Sequence, residues 1–560
     1  MSSPSLTYPP VRGAGAATPS SPDIELDIET VSSHKPSPSE PDDSHHPSSS
    51  STGSKAREEK HTHGIFGHGH ARREDAADVA VRAIADGDAD PLVLHISDED
   101  NRHVLRKIDK VLLPLTMCAY LLQYIDRSAM SYAAVFTFRK DLKLTAEDYA
   151  WLGSVYFIGY LVFEFPGMWL LQRLPISKTM GTMILGWGIL VMCMAAPKNF
   201  AGMAALRTLL GVTEALITPG FVLLVSRFYK REEQPLRVGL WYSCNGAGSF
   251  VGALLSYGMG HVHVNGMRPW AWIFILNGMI TTVFAVVFLC LCPESPETYT
   301  RFSETEKKIA LERVRGNKSS LHNKIWKWSQ FREAVCPWID PQGWAYFIIV
   351  LCICIPNGGV ANFLHLILQS YGYTAFQTIL IGLPGATLQF LFPLSASYIS
   401  RRWPDMRCYC MMVYMLPALV GSVIQYSTRK SGALLFGYYI LTSYVATLGL
   451  CIAAPGANVT GYTKRVTVGG MVFIAYATGN IAGPHLFNAN ETPAYRTGML
   501  TCVICFAAII PMCGALRLWY MRENRRRDKV LEERGQAYDP AEGDFGDRTD
   551  MENLQFRYAL

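Results

Sequence analysis

The chain has 560 residues, of which 49% are hydrophobic and only 17% charged. Soluble domains carry about 25% charged residues, so the deficit favours a membrane protein over a soluble enzyme. The formal net charge of +5 is small for this length, and the basic residues sit in short clusters between apolar runs, which argues against a nucleic-acid-binding face.

Residues 1–100 read as a polar, disordered N-terminal tail. The stretch PSPSEPDDSHHPSSSSTGSK is rich in Pro and Ser and poor in large apolar residues, so it cannot bury enough surface to fold alone. No charged-then-apolar start with a cleavage site is present, so no secretory signal peptide is expected. His61, His63, His68 and His70 in HTHGIFGHGH have metal-ligand chemistry, but a solvated tail is the simpler reading. Serines beside prolines are candidate phosphorylation sites.

From about residue 108 the pattern changes to apolar runs of the roughly twenty residues that a bilayer needs. Twelve such runs are centred near Leu121, Gly159, Gly186, Leu209, Phe250, Thr281, Cys354, Leu388, Tyr414, Tyr444, Tyr476 and Ala508. The expectation is an all-α membrane protein with twelve transmembrane helices. All 14 cysteines lie at or after Cys118, mostly inside these runs. There they act as small hydrophobes rather than a zinc, redox or disulfide set. No metal or cofactor motif and no nucleophile–base pair stands out.

Basic residues set the orientation. With the N-terminus inside, cytoplasmic connections contain Arg173 and Lys178, then Arg227, Lys230, Arg231 and Arg237, then Arg401, Arg402 and Arg407, then Lys464 and Arg465, with Arg522 and Arg525–Arg527 after the last span. The opposite loops are poorer in net positive charge. Both termini are therefore expected in the cytoplasm. Asn490 in NETP forms a glycosylation sequon on an outer loop, which Pro493 disfavours.

Residues 105–292 and 343–522 form two six-span halves, joined by a charged linker over 293–342 and followed by a C-terminal tail over 523–560. In the linker, FSETEKKIALERVRGN has helical periodicity, and Ser303 with Glu306 fits a capping box. The halves echo each other. The fifth span carries YSCNGAGSFVG and the eleventh YATGNIAGPHL, while LLQRLPISK after the second span parallels SYISRRWPDMR after the eighth. Matches six spans apart fit parallel halves with a substrate site between them near the midplane.

Charges within the spans locate that site. Ionisable groups at bilayer depth cost at least a few kcal/mol and persist where they face protein or a polar path. The first span carries Asp126 and Arg127, and the fourth carries Arg207 and Glu214. Arg207 and Glu214 are seven apart, close to two turns, so they share one face about 10 Å apart along the axis. Arg207 either snorkels from the helix start or faces the interior. Asp126 and Arg127 point about 100° apart; Asp126 is expected to pair with Arg207 and Arg127 to reach a substrate carboxylate through its planar fork. A purely structural charge network between the first and fourth spans is the alternative. Asp126 and Glu214 are the candidates for proton coupling. The second half offers neutral groups: Asn357 and Asn362, Gln389, Tyr476 and Asn480, with Asn362, Tyr476 and Asn480 chosen as substrate-binding candidates. Each amide could instead glue helices. His365 is expected near the outer surface. Glu164 in the second span is a further buried acid, a gate or relay candidate, and Arg173 and Lys178 are gating candidates.

The segments YIDRSAMSYAAVF, SRFYKREEQPLRVGLWY, CPESPE, KWSQFREAV, IPNGGVANF, NVTGYTKRVTVGGMVFIAYATGNIAGPHLF and MRENRRRDK carry a resemblance. From about residue 105 to 530 the chain resembles the major facilitator superfamily, specifically the fungal allantoate permease-like branch of the anion:cation symporters. The resemblance implies the two-half major facilitator fold and proton-linked uptake of a small organic anion, allantoate, ureidosuccinate or another carboxylate such as nicotinate or pantothenate. The family's helix 1 acid–base pair falls on Asp126 and Arg127, and its helix 4 Arg and Glu on Arg207 and Glu214. Two departures stand out. The loop after the second span is reduced to MWLLQRLPISK, with Arg173 and Lys178 keeping its charge, and Glu164 stands where a small or neutral residue is usual beside Pro166. The implied partners are the anion, protons and membrane lipid, with no nucleic acid and no cofactor, and a monomer at the plasma membrane. A nutrient-sensing transceptor, or a facilitator or exporter of the same fold, are the rival functions.

Overall fold

The computed structural model describes residues 98–560, apart from 231–232, 263–267, 315–325, 404, 429, 488–490, 492–494, 537 and 539–547. The N-terminal tail with its histidine cluster, and Asn490, lie outside the described residues. Twelve long helices follow in chain order: α1 (Asp98–Val135), α2 (Ala146–Arg173), α3 (Ile176–Cys193), α4 (Phe200–Phe228), α5 (Gln234–Gly260), α6 (Pro269–Leu291), α7 (Gln342–Ser370), α8 (Ala375–Arg402), α9 (Arg407–Ser427), α10 (Ser431–Asn458), α11 (Tyr462–Leu486) and α12 (Arg496–Glu533). Among the described residues, eleven are long and apolar enough to cross a membrane. The remaining one, α5, is 27 residues long and diluted by glycine and serine. The dilution has a packing reason: a Cβ on Gly246 would lie 2.3 Å from the Phe390 backbone nitrogen on α8, so α5 trades hydropathy for close backbone approach.

The two halves use one packing plan. In the first, α1 packs on α5, α2 on α4 and α3 on α6; in the second, α7 packs on α11, α8 on α10 and α9 on α12. The same pairs recur six helices on, as a duplicated six-helix unit requires. Between the halves, α5 lies against α8, α2 against α11 and α1 against α7. Local signals start the helices where expected. Thr145 with Asp148 forms a capping box on α2, Thr374 with Gln377 on α8, and Asn199 caps α4.

Two helices break at matching places. The α4 helix is interrupted at Ala215–Leu216, directly after Glu214, and α10 at Thr442–Ser443. Broken membrane helices free backbone groups, which is tolerated where they face protein or a polar cavity. Spans four and ten are equivalents in the repeat, so both breaks belong to one inherited plan.

Among the described residues, the linker carries two short helices. Glu304–Arg313 begins with the expected Ser303–Glu306 capping box and is bound to the first half: Lys107 Nζ donates to Glu306 Oε1 at 2.5 Å, and Arg313 Nη2 to Glu233 Oε1 at 2.8 Å. Trp328–Val335 is bound to the second half, where Glu333 meets Lys464 at the start of α11.

Candidate functional site

A cavity of about 80 Å³ lies between the halves. This is well above the roughly 10–15 Å³ needed to admit a single water, so the space is roomy enough to be wet. From the first half Tyr124, Arg127, Tyr156 and Arg207 line it, and from the second Asn362, His365, Gln389 and Tyr444. Two guanidiniums face this space, and no carboxylate is among its lining groups.

Arg127 is held in position by both halves. Its Nη1 donates to Tyr476 Oη on α11 at 2.8 Å, and its guanidinium lies 4.7 Å from the Phe157 ring centre and 5.8 Å from that of Tyr156. Aromatic faces stabilise a cation by about 0.5–2 kcal/mol, and they do so here without adding negative charge. Arg207 is 2% exposed, so the interior reading holds and the snorkelling one does not. Its Nε donates to the Leu152 carbonyl at 3.3 Å and its guanidinium sits 5.6 Å from the Tyr156 ring centre, while Nη1 is buried with no protein partner.

Glu214 stands one residue behind the cavity wall. Fully buried, it accepts a 2.6 Å hydrogen bond from Tyr156 Oη at Oε2, with the Gln123 side chain beside it as a further donor. The two-turn spacing therefore does what it implied, putting Arg207 and Glu214 on one face against Tyr156. The close approach that makes this contact possible comes from glycine. A Cβ on Gly211 would lie 1.9 Å from the Tyr156 carbonyl oxygen, and one on Gly159 would lie 2.1 Å from that of Thr208. Any larger residue would hold α2 and α4 apart.

The expected Asp126–Arg207 pair does not form. Asp126 is 1% exposed and turns to α6, where Thr281 Oγ1 donates to its Oδ2 at 2.8 Å; Oδ1 has no partner. Adjacent helical residues diverge by about 100°. Arg127 takes the cavity direction, so Asp126 is carried behind it, while Arg207 is committed to α2. His365 is also corrected. It is buried, lines the cavity, and shares a 2.9 Å hydrogen bond between Nδ1 and Ser131 Oγ.

The second-half candidates divide. Asn362 lines the cavity, with Nδ2 bonded to the Gly358 carbonyl at 2.7 Å, and its own carbonyl accepts from Tyr149 Oη at 2.9 Å across the halves. Asn480 is fully buried: Asn357 Nδ2 donates to its Oδ1 at 2.7 Å, Tyr444 Oη donates to Asn357 at 2.9 Å, and Asn480 Nδ2 donates to the Tyr476 carbonyl. In this structure it joins α7 to α11 and supports Tyr476 from behind. Gln389 spans the halves, donating to Tyr124 Oη at 2.7 Å and accepting from Ser249 Oγ at 3.2 Å. Glu164 is 5% exposed with Oε2 unpartnered, apart from this cluster. Arg173 and Lys178 are exposed at the α2–α3 connection, where Arg173 stacks on Trp169 at 4.5 Å.

Sequence reasoning missed Tyr156, which touches three of the four charged residues. A tyrosine inside an apolar run carries no signal of its own, because the same residue packs as core through its ring. Tyr124 and Tyr149 were missed for the same reason, and Ser131 because a helical serine commonly bonds a carbonyl of its own turn.

The comparisons with known proteins agree with this architecture. The model of the Major Facilitator Superfamily matches residues 116–484. The allantoate permease of Saccharomyces cerevisiae is 32% identical over 83% of this chain and 88% of its own length. An uncharacterised transporter of Schizosaccharomyces pombe is 36% identical over 83% and 91%, and the thiamine pathway transporter THI73 of S. cerevisiae is 30% identical over 82% and 87%. Among solved structures, the proton:xylose symporter XylE superposes with a TM-score of 0.57 at 12% identity, covering 73% of this chain and 94% of that one. A bacterial homologue of the human lysosomal transporter Spinster gives 0.54 at 15%, covering 75% and 97%. With its duplicated six-helix plan and its matches over most of the length of fungal permeases, the chain is a multi-pass membrane transporter that belongs to the major facilitator superfamily, in a branch with the fungal allantoate permease.

Proposed function

We propose that the protein imports a small organic anion together with protons, by alternating access of the inter-half cavity to the two sides of the membrane. The observation that carries this reading is the charge of the cavity: the half-buried guanidinium of Arg127, the buried one of Arg207 with an unpartnered nitrogen, and no carboxylate among the described lining residues. Such a site suits a carboxylate, which Arg binds with two parallel hydrogen bonds. The allantoate permease relative favours a ureido acid such as allantoate or ureidosuccinate over nicotinate or pantothenate.

Charge balance links the anion to the proton. Arg127 and Arg207 are opposed by Asp126 and Glu214, so these four charges sum to zero when both acids are ionised. An anion entering between the guanidiniums adds negative charge at bilayer depth, where each uncompensated charge is costly. A proton taken up by Glu214 or Asp126 restores neutrality, giving one proton per carboxylate charge moved. Glu214 receives its proton at Oε1, the oxygen that Tyr156 does not engage, while Tyr156 keeps its hydrogen bond to Oε2. Arg127 and Arg207 hold the anion, Asn362 and Tyr476 orient it, and Asn480 positions Tyr476. Glu164, Arg173 and Lys178 act on the inner half of α2 and its following connection as gating groups. Both termini face the cytoplasm, and the protein works as a monomer in the plasma membrane.

Uptake of labelled allantoate at pH 5 and 7.5, in cells lacking their own transporters, tests the reading against a Glu214→Gln variant. Accumulation that is greater at pH 5 and lost in the variant is the expected result. Equal uptake at both pH values by the unaltered chain refutes proton coupling. No uptake despite surface expression refutes the ureide assignment and moves the search to other carboxylates.

A further inference from the structure

The last residues of the chain are built into the end of the second half. Lys464, at the start of α11, is fully buried, and its Nζ lies 2.7 Å from Glu333, 2.6 Å from Asp340 and 2.7 Å from Asp550. These three carboxylates come from the linker, from the entry to α7 and from the C-terminal segment. Their oxygens converge as cation ligands would, but the ammonium already occupies the centre. Asp550 Oδ2 also accepts from Gln342 Nε2 at 2.7 Å and from Tyr558 Oη at 2.6 Å.

The final residues are read through their backbone. Asn524 exchanges two hydrogen bonds with Tyr558, both at 3.0 Å, and Asn458 exchanges two with Ala559, at 3.1 and 2.8 Å. The Arg407 backbone N–H donates to the Leu560 carbonyl at 2.9 Å. Arg527, 1% exposed, donates to Tyr558 Oη and to the Phe556 carbonyl. Reciprocal amide pairs recognise an extended backbone much as a sheet edge does. The segment thereby touches α7, α9, α10, α11 and α12, five of the six helices of this half.

We propose that Thr549–Leu560 is a latch: docked, it holds these five helix ends as one rigid body able to rock, and released, it slows transport. The proposal rests on the alternating-access reading for its consequence, though not for the docking itself. The latch is poised because its own carboxylate is the third on a single buried ammonium. Excess buried charge opposes docking, so the closed state is tunable. Burial pushes the carboxyls of Glu333 and Asp340 upward, against the pull of Lys464. Other charged or titratable groups facing the cluster are Asp550, Tyr558 and Arg527, with Tyr520 against Gln342 and Tyr558 and Glu523 behind Arg527. Asp550 adds to the upward push on Glu333 and Asp340 when docked, so these carboxyls bind a proton more tightly in the docked state, and docking strengthens as pH falls through their raised values.

Hydrogen exchange on the purified full-length protein in lipid nanodiscs tests this without any substrate. Amides of 549–560 should exchange at least about tenfold slower than in the free peptide, and more slowly as pH is lowered into the acidic range, after correction for intrinsic rates. Asp550→Asn keeps one acceptor oxygen, so its amide NH2 meets donors in either orientation, Gln342 and Tyr558 on one side or Lys464 and the Thr460 N–H on the other. It should speed exchange roughly tenfold in 549–560 and in 328–342 while leaving α1–α6 unchanged, since hydrogen bonds to a charged acceptor are the strong ones. Free-peptide rates in the unaltered protein, or no change in the variant, would overturn the latch, and a flat pH response would overturn its tuning. In uptake of labelled allantoate, Asp550→Asn should fall several-fold below the unaltered chain at equal surface abundance; equal uptake refutes the transport role. If the unaltered chain itself takes up nothing, the substrate reading has failed and the exchange data still decide the docking.

Discussion

Arg127→Lys isolates geometry from charge at the centre of the site. The substitution keeps one positive charge at the cavity wall. It removes the fork that donates to Tyr476 at 2.8 Å and stacks on Phe157 at 4.7 Å. A lysine ammonium offers a carboxylate a point contact in place of two parallel bonds. The loss is then about one hydrogen bond to a charged group, roughly 1.5–3 kcal/mol. At 1.4 kcal/mol per factor of ten this predicts a rise in KM of about 10- to 150-fold. Concentration-dependent uptake of the labelled anion at pH 5 measures it, with thermal stabilisation of the purified protein by the same anion as an independent reading of affinity. Arg301→Lys, at an exposed position outside the spans, is the control and should leave KM unchanged. A KM for Arg127→Lys within about threefold of the unaltered protein, well below the range that a lost charged bond predicts, would refute the placement of the anion on Arg127.

Three further outcomes follow from the packing and the linker. Gly211→Ala sets a Cβ against backbone atoms of Tyr156 that cannot move cheaply; overpacking of this kind costs about 1–3 kcal/mol or more, so the variant should unfold at a lower temperature, and an unchanged Tm would count against the α2–α4 contact. Asn480→Ala leaves the Asn357 amide unpaired inside the second half, at a cost of about 1–3 kcal/mol, measurable as a lower Tm that an intact hydrogen-bond partner elsewhere would prevent. In the linker, the Lys107 ammonium and the Ser303 backbone N–H hold the Glu306 carboxyl below its usual range. Its stabilising contribution is therefore complete above the unfolded carboxyl's range and disappears as pH falls through the lowered folded value. Hydrogen exchange in 304–313 should rise at acidic pH, and Lys107→Met should weaken that dependence, leaving the part due to the Ser303 N–H; an identical pH profile in the variant would show that the bridge does not brace the linker.

The amino-acid sequence by itself determined the membrane architecture. Apolar runs of bilayer length, breaks between them and basic connections are local and one-dimensional, so they survive being read without a fold. The same is true of the Ser303–Glu306 cap and of the face shared by Arg207 and Glu214, because helical periodicity fixes both. The one span that hydropathy underrates is α5, where small residues were kept for contact with α8 rather than for lipid.

What only the tertiary structure decided is partner choice. Asp126 was legible as a buried acid, but its turn towards Thr281 rather than Arg207 depends on how α1 is rotated between α5, α6 and α7. Tyr156 became central because glycines let α2 and α4 close to backbone contact. Lys464 read as one more basic residue in a connection, and Asp550 as part of a polar tail, until folding brought residues from the linker, α11 and the C-terminus to a single buried point. Hydrophobic pattern is a property of each helix alone. A hydrogen bond or ion pair between distant segments depends on rotation and depth of two elements at once, and no spacing along the chain encodes that.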